Sequence, residues 1–312
     1  AVRIPVEKVN FETQYHARVI DIFFREYARG RTPNPDVLCN QEIKFGLFLT
    51  WAQKAGAHYV ASGHYARVAH SGGLNYLKKG VDPAKDQSYF LWTLGQPELA
   101  RTLFPLGEYT KQDVRTLARE LGLPVANKPD SQGICFVGKV DLPSFLETRL
   151  ALKAGDVVTT EGKRVGRHQG VQFFTEGQRH GFGGGGSVPF YVVRKDLQKN
   201  ELIVAAGADH PALFAQELEM EEVRFVARTL KAGAQITCRI RYRQPDQTAV
   251  FMGKRAGGKT RIRFHEPQRS ITPGQSCVLY QKDELVGGGI ITRALSVKPQ
   301  FEKTKGMIRL IS

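Results

Sequence analysis

The sequence predicts an α/β domain, then a small linking domain, then an all-β domain, and three observations carry that expectation. Up to about residue 140, helix-spaced apolar residues alternate with short apolar runs, the pattern of a mostly parallel sheet covered by helices. Residues 141–205 break that rhythm with strand-and-turn segments and an unusually glycine-rich loop. From about 206 to 295, short period-2 segments separated by Pro/Gly turns suit a small barrel or sandwich, the all-β domain and its tail running over 206–312. A length of 312 residues accommodates about two or three domains, and 41 % hydrophobic with 24 % charged residues excludes disordered and fibrous classes.

Each element follows from local chemistry. Residues 1–11 read as a turn into a short strand. Tyr15, Val19, Ile20, Phe23, Phe24 and Tyr27 then fall at helical spacing and stop at Gly30, which predicts a helix over 12–28. The turn Thr32-Pro-Asn-Pro-Asp36 precedes a second helix expected over 39–55, with Ile43, Leu47 and Phe48 on its buried side. Residues 58–62 form a short strand whose C-terminal end carries Gly63, His64 and Tyr65, the edge at which open α/β sheets bind ligands. Gly72-Gly73 sits between Val68 and Leu77 as a hairpin turn, which is the wrong setting for a phosphate cradle. Helices are expected over 86–94 and 111–121, the second with Val114, Leu117, Ala118 and Leu121 facing the core. A short helix at 142–150, a strand and turn at 155–162, a glycine loop at 181–187 and a strand at 190–193 make up the linking domain. Strands are expected at 235–243, 248–252, 260–264 and 276–280, and 298–312 reads as a basic tail.

Charge and cysteine content narrow the partners. The net charge is +15, and residues 222–312 hold 18 Lys or Arg against 6 Asp or Glu. A basic C-terminal third suggests a polyanion, nucleic acid ahead of an anionic membrane surface or a merely solvated face. No apolar run is long enough to span a membrane. Four dispersed cysteines make neither a disulfide scaffold nor a zinc site, so no structural metal is expected, and a reducing compartment is the simpler assumption.

Several residues could carry chemistry. Cys39 follows a proline-stiffened loop beside a helix start, which can lower a thiol pKa, and Asp36 stands three positions before it as a proton acceptor or orienting group. The alternative is a buried cysteine beside an ordinary helix cap. Cys135 lies between glycines, yet Ile134, Phe136 and Val137 equally suit a core strand. If the two cysteines approach one another, one can carry a persulfide that the other resolves. Cys238 alternates with Ile236, Ile240 and Tyr242, while Arg239, Arg241 and Arg243 take the opposite face and offer guanidinium groups to phosphate. Cys277 reads as core. Lys85 can reach a phosphate, whereas Asp86 or Ser88 can simply cap a helix; His64 can pair with an anion or serve the structure.

Seven segments, taken together, resemble the tRNA-specific 2-thiouridylases of the MnmA/TrmU family. They are Gly30-Arg-Thr-Pro-Asn-Pro-Asp-Val-Leu-Cys-Asn40, Ala61-Ser-Gly-His-Tyr-Ala-Arg67, Lys85-Asp-Gln-Ser-Tyr-Phe-Leu91, Phe104-Pro-Leu-Gly107, Ser131-Gln-Gly-Ile-Cys-Phe-Val-Gly138, Gly177-Gln-Arg-His-Gly181 and Thr272-Pro-Gly-Gln-Ser276. The resemblance implies a Rossmann-like adenine-nucleotide-hydrolase domain, a small central domain and a C-terminal β-barrel. It implies a reaction in which ATP, with Mg2+, adenylates the C2 oxygen of a wobble uridine and persulfide sulfur replaces it. By this resemblance Cys135 carries the sulfane sulfur and Cys39 releases it, with a transient disulfide between them. Asn34, Pro35 and Asp36 would hold the target base, Asp36 also as acid or base. Gly63 matches an ATP contact, and His64, Lys85, Asp86 and Gln87 match tRNA contacts. Arg241, Tyr242 and Gln275 match contacts from the barrel. The implied partners are tRNAs accepting Glu, Gln and Lys and a cysteine desulfurase or sulfur-relay donor. The enzyme is expected to be a monomer in a bacterial cytoplasm, or alternatively in a mitochondrial matrix.

One departure qualifies the resemblance. The family opens with a strand and a Ser-Gly-Gly-x-Asp-Ser loop around the ATP phosphates, and the only Ser-Gly-Gly here, at Ser71, continues with Leu74-Asn75. The segment 1–11 resembles a family stretch downstream of that loop. The expectation is a nucleotide-binding domain incomplete at its N-terminus, in a chain that as written does not bind ATP competently. The other reading is a non-catalytic tRNA-binding or sulfur-carrier homologue without adenylation.

Overall fold

The computed structural model describes residues 4–128, 135, 138, 141–179, 188–255 and 257–295. Glu12–Tyr15, His16–Ile20 and Asp21–Ala28 form one helical run whose middle is a π-helix. Its apolar stripe is buried as the spacing predicts, with Val19 wholly enclosed. Residues 4–11 form no strand, contrary to the sequence expectation, and pair with no described strand.

The second helical run begins at Pro35, four residues earlier than expected. Asn34 caps it by accepting from the Asp36 and Val37 amides, and Pro35 occupies the first turn, where its missing N–H costs nothing. The run passes through Pro35–Leu38 into a ten-residue π-helix, Cys39–Phe48, and ends with Leu49–Lys54.

Strand β1 (Val60–Ala61) leads to the hairpin of β2 (Ala66–Ser71) and β3 (Leu74–Lys79), turned at Gly72-Gly73 as expected; β4 (Thr102–Leu103) pairs parallel with β1. The helix expected over 86–94 is only a 3-10 turn at Ser88–Leu91. Its aromatic side chains are drawn to the C-terminal domain instead: the Tyr89 hydroxyl donates to the Ser276 carbonyl at 2.9 Å and Trp92 Nε1 donates to Ser276 Oγ at 2.9 Å. The helix Lys111–Glu120 forms, but no residue in it is buried and Leu117 is 43 % exposed. The core role expected for its apolar side is therefore not met, because no described element covers it.

After the helix Leu142–Glu147, β5 (Gly155–Thr159), β6 (Arg164–His168), β7 (Phe190–Asp196) and β8 (Glu201–Ala206) make a four-stranded sheet in the order β6-β5-β8-β7. The glycine loop expected at 181–187 and the tail at 298–312 lie outside the described residues.

Six antiparallel strands follow: β9 (Phe214–Phe225), β10 (Ala234–Arg239), β11 (Gln247–Lys254), β12 (Thr260–Arg269), β13 (Ser276–Gln281) and β14 (Glu284–Leu295). Pairing of β13 with β14 closes them into a barrel, filled by residues such as Leu218, Met220, Ile262, Phe264 and Leu279. The two longest strands, β9 and β14, have no counterpart in the sequence reading. Glu217 and Glu219 in β9 look like surface residues, and the glycine run of β14 argues against a strand. A Cβ at Gly288 would stand 2.8 Å from the Trp92 ring, so that glycine is what admits the indole. On its outer edge β14 pairs with β3, which joins the N-terminal hairpin to the barrel sheet. One core accordingly mixes Leu77, Tyr89, Leu91 and Trp92 with Val278, Tyr280 and Leu285.

Candidate active site

Where the cysteine-bearing helix, the end of β1, residues 85–87 and the residues after β10 meet, they enclose a cavity of about 620 Å³. Asp36, Asn40 and Lys44 line it at every fourth position of one helical run. Gly63, His64 and Tyr65 line it from beyond β1, and Tyr242 and Arg243 from the barrel side.

Cys135 lines this cavity and packs against the core cluster that contains Cys39; both are free thiols. Cys39 is fully buried and its S–H donates to the Cys135 sulfur. That hydrogen bond, more than any other influence, pulls the Cys135 thiol below the usual range, with the Lys44 ammonium helping; the same bond and burial push Cys39 up. The two shifts run in opposite directions and favour a thiolate on the more open Cys135 over one on Cys39. The backbone of Cys135 is clamped on both sides. The Tyr15 hydroxyl donates to its carbonyl at 2.5 Å, and its amide donates to the Asp36 carboxylate. Burial raises the Asp36 pKa against the opposing pull of Lys44 and that amide, which suits a carboxyl that exchanges a proton.

The other residues singled out in the sequence divide into two groups. Lys85 and Gln87 line the cavity, and Gln87 Oε1 accepts from the Tyr65 amide at 3.0 Å. Tyr242 lies against the Phe90 ring with centroids 4.4 Å apart. Asn34 and Pro35 start the helix, as described. His64 lines the cavity but is not a cation: burial, then the Lys44 charge, lowers its pKa to about 3, and Nδ1 is 2.7 Å from Ser62 Oγ. Of the alternatives the sequence left open for His64, a neutral, buried ring bonded to Ser62 favours the structural one over ion pairing.

Asp86, Arg241 and Gln275 tie elements together. Asp86 is buried, accepts from the Gly80 and Ser88 amides at 3.1 Å each, and pairs with Arg239 at 2.6 Å. Arg241 Nη2 donates to the Glu176 and Ser270 carbonyls and to Thr272 Oγ1. The expectation that Arg239, Arg241 and Arg243 offer one guanidinium face is corrected accordingly. β10 ends at Arg239, two of the three side chains turn inward to acceptors from other elements, and only Arg243 is exposed. Gln275 Nε2 donates to the Thr32 carbonyl at 2.9 Å, while the Thr32 amide donates to the Pro273 carbonyl at 2.9 Å. Gly274 allows this grip. Its φ is +93°, and a Cβ there would stand 2.8 Å from Thr32 backbone atoms. Much barrel charge is also neutralised locally: Arg263 pairs with Glu217 at 2.6 Å, and Arg261 and Arg293 pair with Glu219 at 2.9 and 2.7 Å. A helix N-terminus beside Cys39 was expected to activate it, but Cys39 stands a full turn inside the helix and its thiol is raised.

Lys44 escaped the sequence reading, because an isolated lysine matches no motif; its spacing from Asp36 and Asn40 was the available signal. The cavity lining fits a polyanion, since Lys44, Lys85, Lys111 and Arg243 face it and Asp36 is the single lining carboxylate among the described residues. Gly63 leaves room at the strand end, where an added Cβ would meet only Leu106 Cδ1 at 3.8 Å. No group of three or more metal-ligating residues occurs among the described residues. No helix among them is long and apolar enough to cross a membrane.

A parallel-strand α/β unit, a four-stranded central sheet and a six-stranded barrel, with a cavity between the first and the last, define a three-domain protein. Family models agree on each unit. A tRNA methyl transferase HUP domain matches residues 1–139, a tRNA methyl transferase PRC-barrel domain 143–206, and an aminomethyltransferase beta-barrel domain 215–291. The chain is 46 % identical over 307 residues to the tRNA-specific 2-thiouridylase MnmA of Paracidovorax citrulli, covering 94 % of this chain and 81 % of that protein. The same-named proteins of Geobacillus thermodenitrificans and Neisseria meningitidis are 47 % and 48 % identical over 292 residues, covering 93 % of this chain and 78 % and 79 % of theirs. The chain belongs to the MnmA family of tRNA-specific 2-thiouridylases. The Rossmann-like domain, central domain and C-terminal barrel implied by the seven segments are those of this family.

Proposed function

We propose that this protein is a tRNA uridine 2-sulfurtransferase that replaces the C2 oxygen of a wobble uridine with sulfur at the expense of ATP. The observation that carries the reading is the thiol pair Cys39–Cys135 at the head of a lysine-lined cavity. The identity of nearly half its residues with the MnmA proteins supports it. The domain limits proposed are 1–140, 141–205 and 206–312.

Asn34, Pro35 and Asp36 hold the target uridine in the rigid loop that the Thr272–Ser276 turn grips. Neutral His64 offers a hydrogen bond to nucleic acid rather than a charge, and Lys85 and Gln87 contact the tRNA. Tyr242 supplies a ring beside the cavity mouth. Arg241, Gln275 and Asp86 serve by fixing the surfaces that face the tRNA. ATP, when bound near Gly63 with Mg2+, supplies the adenylyl group that makes the C2 oxygen a leaving group. The lysines of the lining balance its negative charge.

The sulfur steps balance without an external oxidant. The Cys135 thiolate attacks the outer sulfur of a donor protein's persulfide, forms a new S–S bond and releases the donor thiolate. Asp36 takes the Cys39 proton, and the Cys39 thiolate then attacks the inner sulfur of the Cys135 persulfide. A Cys39–Cys135 disulfide forms and hydrosulfide leaves to displace AMP at C2; a thiol reductant restores the pair. Acceptors for Glu, Gln and Lys, a desulfurase or relay donor, and a monomeric enzyme in the cytoplasm complete the proposal. Incubating the protein, carrying the family's Ser-Gly-Gly-x-Asp-Ser loop ahead of residue 1, with tRNA, ATP and a persulfide donor, then analysing nucleosides by mass spectrometry, should yield 2-thiouridine. Cys135→Ser should yield none, and full thiolation by that variant would overturn the reading.

A further inference from the structure

We propose that Lys44 is a catalytic residue of the sulfur-transfer steps, the cation that touches the Cys135 sulfur and holds its negative charge. The inference rests on the sulfur-carrying role proposed for Cys135. Lys44 is placed by an unusual helix. The Cys39–Phe48 stretch is π-helical, and its i→i+5 repeat sets residues four and five apart on nearly the same face. Asp36, Asn40 and Lys44 follow one another at intervals of four along this helical run. Asp36, Asn40, Lys44 and Cys135 line one cavity.

Two donors converge on the Cys135 sulfur, the Cys39 S–H and the Lys44 ammonium. The charged neighbours pull in opposite directions. Asp36 disfavours an anion on Cys135, and Lys44 favours it. Tyr15 donates its hydroxyl to the carbonyl of the same residue. Lys85, Lys111 and Arg243 line the cavity, but the charge acting on Cys135 among the cations is that of Lys44. Lys44 also acts on Asp36, Cys39 and His64, so one ammonium biases three further groups around the same cavity.

In the transfer from donor to enzyme, the Cys135 thiolate forms a bond to the outer persulfide sulfur, the donor S–S bond breaks, and the donor leaves as thiolate. Lys44 balances the anion before attack and the perthiolate after proton loss, so it acts at both ends of the step without being consumed. When Cys39 later attacks the inner sulfur, hydrosulfide departs from beside the same ammonium.

The test is the pH dependence of Cys135 alkylation by iodoacetamide in the full chain, read by mass spectrometry of the Cys135 peptide. Lys44→Gln, Lys44→Met and Lys44→Arg are compared with wild type, each checked for an unchanged thermal midpoint. Removing the charge should move the half-reaction pH upward by about one unit, a tenfold slower alkylation below it. Lys44→Arg should restore most of the wild-type profile, which a merely structural side chain would not do. An unmoved profile in either folded neutral variant overturns the proposal. Nucleoside analysis separates the two claims. A shifted profile in a protein that makes no 2-thiouridine retains the Lys44 contact and defeats the sulfurtransferase reading. Thiolation with an unmoved profile does the reverse.

Discussion

Arg239 at the end of β10 and Asp86 of the N-terminal domain form an ion pair of 2.6 Å, with side chains only 11 % and 1 % exposed. Arg239 also holds Asp246 at 2.6 Å, and Asp246 reaches on to Lys79 of the hairpin. Four charges from three parts of the chain thus meet at one seam. The two sides of the pair are unequal. Asp86 without Arg239 is a buried carboxylate with no counter-ion, whereas Arg239 without Asp86 still has Asp246. Arg239→Met should therefore destabilise the protein by about 3 kcal/mol, and Asp86→Asn by less. Urea unfolding of both variants measures the difference, and equal losses would contradict the asymmetry.

The thiol pair makes a prediction independent of Lys44. Cys39 supplies the largest pull on Cys135, a hydrogen bond that stabilises thiolate. Cys39→Ala removes that donor, so the half-alkylation pH of Cys135 should rise and its rate at neutral pH should fall by about tenfold, the change that one pKa unit brings. Peptide-resolved alkylation kinetics read this directly.

His64 should be silent through the physiological range. Its folded-state pKa is lowered from 6.5 to about 3, so between those values the unfolded chain binds a proton that the folded chain does not. Its contribution to stability is whole above pH 6.5 and is lost as pH falls toward about 3. Imidazole resonances followed by NMR should show no His64 titration between about pH 5 and 8, and His64→Phe should flatten part of the acid limb of the stability curve.

Gly274→Ala should act on the Asn34–Asp36 loop from the barrel. The substitution combines a left-handed backbone with a Cβ 2.8 Å from Thr32, and a strained residue of this kind costs about 1–3 kcal/mol. Thiolation should fall further than thermal stability does, because the displaced Thr32 carries the loop that leads to Asp36. A variant with lowered melting temperature but wild-type turnover would show that the grip is only structural.

The legible parts of the sequence were those governed by near neighbours. The stripe from Tyr15 to Tyr27, the Gly72-Gly73 turn and β11 to β13 follow from spacing and turn chemistry. The failures came from partners far along the chain. Asp86 looked like a helix cap until Arg239, 153 positions away, claimed it. Arg241 looked like a phosphate ligand until Glu176, Ser270 and Thr272 supplied acceptors. Glu217 and Glu219 look like surface residues until three arginines from neighbouring strands enclose them. The meeting of Cys39 with Cys135 was legible only as a condition, because no local pattern brings residues so far apart into contact. Lys44 was missed for a different reason: it matches no motif, and its four-residue spacing from Asn40 and Asp36 gains meaning only once Cys135 is seen to line the same cavity.

Because β3 pairs with β14 through Leu77 opposite Leu285 and Lys78 opposite Glu284, about two hundred residues separate the two sides of that seam. On the ribosome the hairpin emerges long before its partner strand exists. Until then its outer edge presents unpaired N–H and C=O groups, the surface that recruits stray strands. So wide a separation in sequence also slows folding, since a long loop must close before the contact is made. Completion of the first domain is thereby timed by synthesis of the last strand of the barrel.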